Sequence, residues 1–159
     1  MSAAELTIER RLDRIESRFA IGDLVSDYCH GVDKRDLDRF LDIWHEDAVW
    51  EIGPPFGNFA GKAEIKRALT DLIWPAWRET HHWTTNLVVR FLDDDHAEGV
   101  CDVNCTGAAD PQDVMQIVAA TYTDRYERRD GRWGIARRHV EMFYFSQVPG
   151  VDLVPPTYG

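Results

Sequence analysis

Hydrophobic side chains recur at helical spacing along the first part of the chain. Leu12, Ile15, Phe19, Leu24 and Tyr28 come round every three to five residues, with charged residues between several of them, and predict one amphipathic helix from residue 7 to about 30. Gly31 offers it a place to end. Residues 36–44 repeat the pattern through Leu37, Phe40, Leu41 and Trp44 and predict a second, shorter helix, with Asp33 in the joint between the two. AVWEI (48–52) reads as a short strand and GPPFGNFAG (53–61) as a loop, by its glycines and prolines. Ile65, Leu69, Leu72 and Ile73 mark a third helix, ended by Pro75.

From His82 onward the helical period gives way to strands, expected at about 82–92, 96–107, 114–128 and 132–146. The last two are rich in β-branched and aromatic residues. They meet at Arg129-Asp130-Gly131-Arg132, and Asp-Gly is the pair a type I′ hairpin favours because both central residues need φ > 0. Helices first and an antiparallel sheet afterwards make an α+β domain. A strongly curved sheet wrapped around helices leaves a cone, and the open end of a cone is a ligand pocket. The proline-rich tail, 148–159, is expected to lie extended over the surface or a neighbouring subunit.

Composition narrows the partners. The chain has 159 residues, 44% of them hydrophobic, enough for a single domain with a real core. Its 18 Lys and Arg against 28 Asp and Glu leave a net charge of −10, which repels phosphate backbones and anionic lipid. Neither nucleic acid nor a membrane surface is expected as a partner, whereas a small hydrophobic molecule is. No apolar run follows the early charges and no window approaches the roughly 18 apolar residues of a span, so a cytoplasmic location is expected. Cys101 and Cys105 point the same way along one strand but lie too far apart to bridge. Cys-x-x-x-Cys and the dispersed histidines 30, 45, 81, 82, 96 and 139 lack metal-site spacing, and no Walker or G-x-G-x-x-G string occurs. No metal and no cofactor is expected.

Candidate chemistry gathers around THHWTTN (80–86). A carboxylate beside an imidazole holds its tautomer and yields a general base. His82 and Asp33 could form such a dyad, with Tyr28 on the first helix and Arg138 on the last strand to close the set. Each has a plainer reading: Asp33 as the cap of the second helix, Tyr28 as core, His82 as a structural histidine, Arg138 as a sheet-surface charge opposite Arg137. Tyr28 and Asp33 lie roughly 140° apart on a continuous helix, and converge only if it breaks near Gly31. In a regular strand His81, Trp83, Thr85, Leu87, Val89 and Phe91 share the more apolar face, and His82 lies on the other with Thr84, Asn86 and Arg90. A bulge after the histidines would reset that alternation; a shifted register would make His81 the base. Trp50, Phe56, Trp77, Phe143 and Phe145 are candidates for the pocket wall.

The order of elements, the strand opening H-x-x-x-N (His82 to Asn86) and the hairpin YTDRYERRDGRWGIARR (Tyr122 to Arg138) resemble the SnoaL-like branch of the nuclear transport factor 2-like superfamily. The resemblance runs from the first helix to about residue 147 and implies a cystatin-like fold. Within that branch the chain looks most similar to the hexachlorocyclohexane dehydrochlorinases, through GVDKR (Gly31 to Arg35), W-P-x-x-x-E-T-x-H (Trp74 to His82) and Y-E-R-R-D-G-x-W (Tyr126 to Trp133). It implies that His82 is the base, Asp33 its partner and Arg138 an auxiliary cation. The departure is Tyr28, which stands where those enzymes carry a lysine that assists chloride. A tyrosine there resembles instead the bile-acid and scytalone dehydratases, and implies loss of water or isomerisation. The expectation is thus a cofactor-independent lyase or isomerase acting on a small hydrophobic cyclic substrate. The alternative is a non-catalytic module for ligand carriage or assembly, like the small subunits of ring-hydroxylating dioxygenases. A homodimer or homotrimer is expected, because one face of so large a sheet needs cover.

Overall fold

The computed structural model describes residues 7–109 and 114–151. Helix α1, Ile8–Asp33, starts at Thr7, whose hydroxyl accepts from the Arg10 N–H at 3.3 Å. It runs three residues past the expected end, because Gly31 serves close approach rather than termination. A Cβ there would stand 2.7 Å from that of Phe40 in α2, Leu37–Asp42. The cap of α2 is Asp36, which accepts from the Arg39 N–H at 3.1 Å, and Asp33 is left free for other partners.

Strand β1, Trp44–Gly53, begins earlier than expected, and β2, Gly57–Ala60, occupies part of the expected loop. Helix α3, Lys62–Arg67, passes into a π-helical segment, Ala68–Ile73, and a last turn, α4, Trp74–Ala76, which carries Pro75 in its first turn instead of stopping before it. Strand β3, Trp77–Phe91, starts five residues before His82. It is followed by β4, His96–Ala109, β5, Val114–Arg129, and β6, Arg132–Gln147. Asp130 and Gly131, at φ 52° and 78°, make the hairpin turn expected of them. The six strands lie in the order β2-β1-β6-β5-β4-β3, antiparallel except for the β1 and β6 pair. The tail lies outside the described residues from 152 onward.

The second half of α1 supplies the core through Ile21, Leu24, Val25 and Tyr28, packed with Phe40, Trp50 and Ile135. Full burial of such side chains stabilises by about 1.5–3 kcal/mol each. Beneath the helix the inner face of β4 is built from small residues: a Cβ on Gly99 would stand 2.7 Å from the Tyr126 ring, and one on Gly107 only 3.1 Å from Trp77. That small-residue row gives the cone its depth. The expected helical stripe divides, however. Leu24 and Tyr28 are buried, whereas Leu12, Ile15 and Phe19 face outward.

Three bulges decide which residues face the interior. On β3, Thr85 pairs with Asp102 but Val88 with Val100, so one residue is extra, and Asn86 sits there at φ 58°. Thr80, His82 and Thr84 therefore turn inward before it, and Leu87, Val89 and Phe91 after it. On β6, Ala136 is extra between Ile135 and Arg137, and Phe143 between Met142 and Tyr144. The first turns Arg138 inward and Arg137 outward; the second carries the inner face from Met142 to Phe145.

Candidate active site

Two of the strings noted in the sequence meet at the end of α1. Arg35, held at φ 54°, donates to the carbonyls of Trp77 at 2.8 Å and Trp74 at 3.1 Å, while the Trp74 indole donates to the Val32 carbonyl at 3.0 Å. These bonds tie the last turn of α1 to the entry of β3. Asp33 then accepts three hydrogen bonds from β3: Oδ1 from His82 Nδ1 at 2.6 Å and from the Thr80 hydroxyl at 2.8 Å, Oδ2 from the His82 backbone N–H at 2.8 Å. The helix need not break for the set to assemble, because His82 spans the gap. Its ring centroid lies 6.0 Å from that of Tyr28.

Burial alone would raise the Asp33 pKa, but the hydrogen bonds from His82 and Thr80 outweigh it and hold the carboxyl below its usual range. For His82, burial disfavours the cation, yet hydrogen bonds to Asp33 and Cys105 outweigh it and push the imidazole up to about 9. With Nδ1 committed to Asp33, Nε2 is the ring nitrogen free of the carboxylate. Cys105 is the cross-strand partner of His82 and shares its cavity. His81 points the other way: it is exposed, paired with Glu79 at 2.5 Å and stacked on Trp83.

Tyr28 and Tyr122 line the cavity with their rings 5.5 Å apart. Burial raises the Tyr28 pKa well above that of a free phenol, against the opposing pull of Arg138 and the Tyr122 hydroxyl, so the group remains a neutral proton donor. Arg138 is completely buried, with its guanidinium carbon 4.3 Å from the centroids of both tyrosine rings. It binds Asp124 in a bidentate pair at 2.9 and 2.7 Å, and Tyr126 donates to the same carboxylate at 2.6 Å. Arg138 is absent from the cavity wall. Its charge reaches the cavity through the two phenols, not by the direct contact expected of it.

The cavity measures about 100 Å³ and is walled mainly by apolar groups. Trp50, Phe56 and Trp77 line it as expected, and Phe145 joins them, with its ring 5.9 Å from Phe56 and 6.0 Å from Trp77. Phe143 does not. It is 62% exposed, because it is the extra residue of the β6 bulge. Cys105, Gln116 and Tyr122 are lining residues that sequence reasoning passed over. Gln116 accepts from the Trp77 indole at 2.6 Å. Tyr122 carried a visible signal, since Ala120, Tyr122, Asp124 and Tyr126 alternate along β5 and are all buried. Among the described residues four buried donors, the Nε1 atoms of Trp44, Trp50 and Trp133 and Nη1 of Arg138, have no hydrogen-bond partner. Among the described residues no three His, Cys, Asp or Glu side chains gather as a metal-ligand set, and no helix is long and apolar enough to cross a membrane.

Fold and site together define a class: helices packed in a curved six-stranded sheet of cystatin-like type, with a His-Asp pair in its cone. The SnoaL-like domain pattern matches residues 13–139, and the chain belongs to that family. It is 39% identical over 145 residues to hexachlorocyclohexane dehydrochlorinase 1 of Sphingobium indicum, covering 91% of this chain and 94% of the relative. The crystal structure of a type 3 hexachlorocyclohexane dehydrochlorinase from Novosphingobium barchaimii superposes with a TM-score of 0.86 at 38% identity, over 92% of this chain and 99% of the other. A Nostoc punctiforme protein with a cystatin-like fold, 17% identical, superposes at 0.68 over 86% of this chain and 95% of its own, a likeness of fold alone. The curated relatives are dehydrohalogenase-type lyases, in line with the enzyme expected here.

Proposed function

We propose that the protein is a cofactor-independent lyase that removes a proton and a leaving group, hydroxide in preference to chloride, from a small hydrophobic cyclic substrate. The observation that carries this is the 2.6 Å contact between His82 Nδ1 and Asp33 Oδ1 beside an otherwise apolar cavity. A buried ionisable pair costs desolvation that simple ligand carriage would not require, whereas base chemistry needs it.

In this scheme Asp33 keeps the proton on Nδ1, so in the neutral imidazole, the form that accumulates as pH rises towards about 9, Nε2 takes a proton from the substrate carbon. The C–H electrons form the new double bond as the C–O bond breaks, and the Tyr28 phenol protonates the departing oxygen to give water. The resulting phenolate lies over the Arg138 guanidinium, which stabilises it until His82 returns the proton. Chloride needs no proton to leave, and a neutral phenol would assist it less than a cation would.

The test is a panel of cyclic alcohols and their chlorinated counterparts, assayed with wild type, His82→Ala and Tyr28→Phe. Loss of the base should cost about 10²–10⁴ in turnover on any substrate found. Tyr28→Phe should suppress dehydration far more than any dehydrochlorination. Turnover unchanged in His82→Ala would remove the proposal, and ligand binding without turnover that survives loss of both His82 and Asp33 would favour the carriage alternative.

A further inference from the structure

The first half of α1 carries an apolar stripe that the other described residues leave largely uncovered. Ile8, Leu12, Ile15 and Phe19 are 80%, 53%, 54% and 71% exposed. At about 100° per residue they centre on the side opposite Ser17, Ile21 and Leu24, which face the sheet. That inner side is well anchored: Arg128 binds Asp13 at 2.6 Å, Arg10 pairs with Asp94, and Arg14 lies over the Phe91 ring at 5.3 Å. The stripe is therefore presented on a rigid helix.

Its spacing of four, three and four is that of a coiled-coil seam, with Ile8 and Ile15 at d and Leu12 and Phe19 at a. The flanks are segregated by sign. Glu9, Glu16 and Asp23 fall at e, and Arg11 and Arg18 at g; all five are exposed, and none forms a side-chain ion pair among the described residues. In parallel helices g faces the following e of the neighbour, which sets Arg11 against Glu16 and Arg18 against Asp23 of another copy. Antiparallel helices would set acid against acid and base against base. The pattern thus complements itself in one direction only.

We infer that α1 is a self-association surface, on which the same helix of another copy of this chain packs in parallel through Ile8, Leu12, Ile15 and Phe19. The outer sheet face, expected from sequence to need the cover, is more mixed: Val88 and Val100 are exposed there beside Arg90, Arg125 and Arg137. The helix stripe has no such interruption over two heptads, and ends at Gly22.

The test is equilibrium sedimentation of the whole chain at tens of micromolar, with circular dichroism to show that each variant remains folded. Wild type should sediment as a multiple of 18.3 kDa, and Leu12→Glu with Phe19→Glu should reduce that multiple. Arg11→Glu with Arg18→Glu should also dissociate the assembly, and adding Glu16→Arg with Asp23→Arg should restore it. A wild type of single-chain mass would mean that the stripe serves a different partner, and an undiminished mass in the Leu12, Phe19 variant would place the interface elsewhere. Either result overturns the proposal. Failure of the four-charge exchange to restore the mass overturns the parallel arrangement.

Discussion

Asp33→Asn should disable His82 while leaving the shape of the site intact. The carboxylate accepts Nδ1–H and the Thr80 hydroxyl on Oδ1, and the backbone N–H of His82 on Oδ2. An amide has one accepting end. The backbone N–H cannot be moved or reversed, so the amide oxygen should turn to it and the NH2 should face Nδ1 and Thr80. The threonine hydroxyl can rotate to accept, but Nδ1 can accept only if the proton shifts to Nε2, the nitrogen needed as base. The same substitution in a Ser-His-Asp triad costs about 10⁴ in rate for the same reason, and about 10³–10⁴ is expected here. The basicity should change as well. His82 stands at about 9 with Asp33 ionised, and the gap from an unperturbed value near 6.5 corresponds to on the order of 3 kcal/mol. With the carboxylate gone, burial acts against a weaker opposition and the ring should be neutral at pH 7. Nitrogen-15 spectra of the labelled histidines, with His82 assigned by its loss in His82→Gln, read tautomer and titration without any substrate. A wild-type His82 that titrates near 6.5, or an Asp33→Asn protein that keeps Nε2 bare, would refute the reasoning.

Stability should depend on pH through the same pair. The His82 value is raised, so its contribution is complete below about 6.5 and declines as pH rises to about 9. The Asp33 value is lowered, so its contribution holds above about 4 and is lost as pH falls further. Urea midpoints should therefore peak between those limits in wild type, and the decline above 6.5 should flatten in Asp33→Asn. Arg138→Met leaves the Asp124 carboxylate buried without its cation and should cost about 3–5 kcal/mol by the same assay. Adding Asp124→Leu should recover much of that loss; a loss below about 1 kcal/mol in the single variant would contradict the buried pairing. Asn86→Gly should be tolerated at its positive φ, whereas Asn86→Val should cost at least about 1 kcal/mol.

Helices, hairpin and fold class were legible because they rest on periodicities that the core enforces. The Asp-Gly turn and the long β-branched runs each state one local preference, and the tertiary structure agrees with it; the period of α1 gave the helix but not its buried side, since only Leu24 and Tyr28 of the stripe enter the core. The site was legible only in part, because it contradicts the pattern by which strands are read. Alternation assigns polar residues to the solvent side. By that rule His82 belonged outside with Thr84 and Asn86, and Arg138 could be told from Arg137 only by resemblance.

What turns them inward is one extra residue near each, at Asn86 on β3 and at Ala136 on β6. Ala136 has no turn chemistry to announce a bulge; Asn86 does, since asparagine is among the few residues that accept positive φ. The apolar parity of Leu87, Val89 and Phe91 was itself correct. The error lay in extending it back through residues 80–84, where both faces carry polar groups and neither phase is favoured. Two strand segments of opposite phase, joined at a residue that tolerates φ > 0, are what a bulge looks like in sequence. Such a junction lets one strand bury apolar groups against α1 in one half and hold Thr80 and His82 against Asp33 in the other. Local pattern and global structure disagree here because the interior has been made to hold a carboxylate and an imidazole, and that disagreement marks the site.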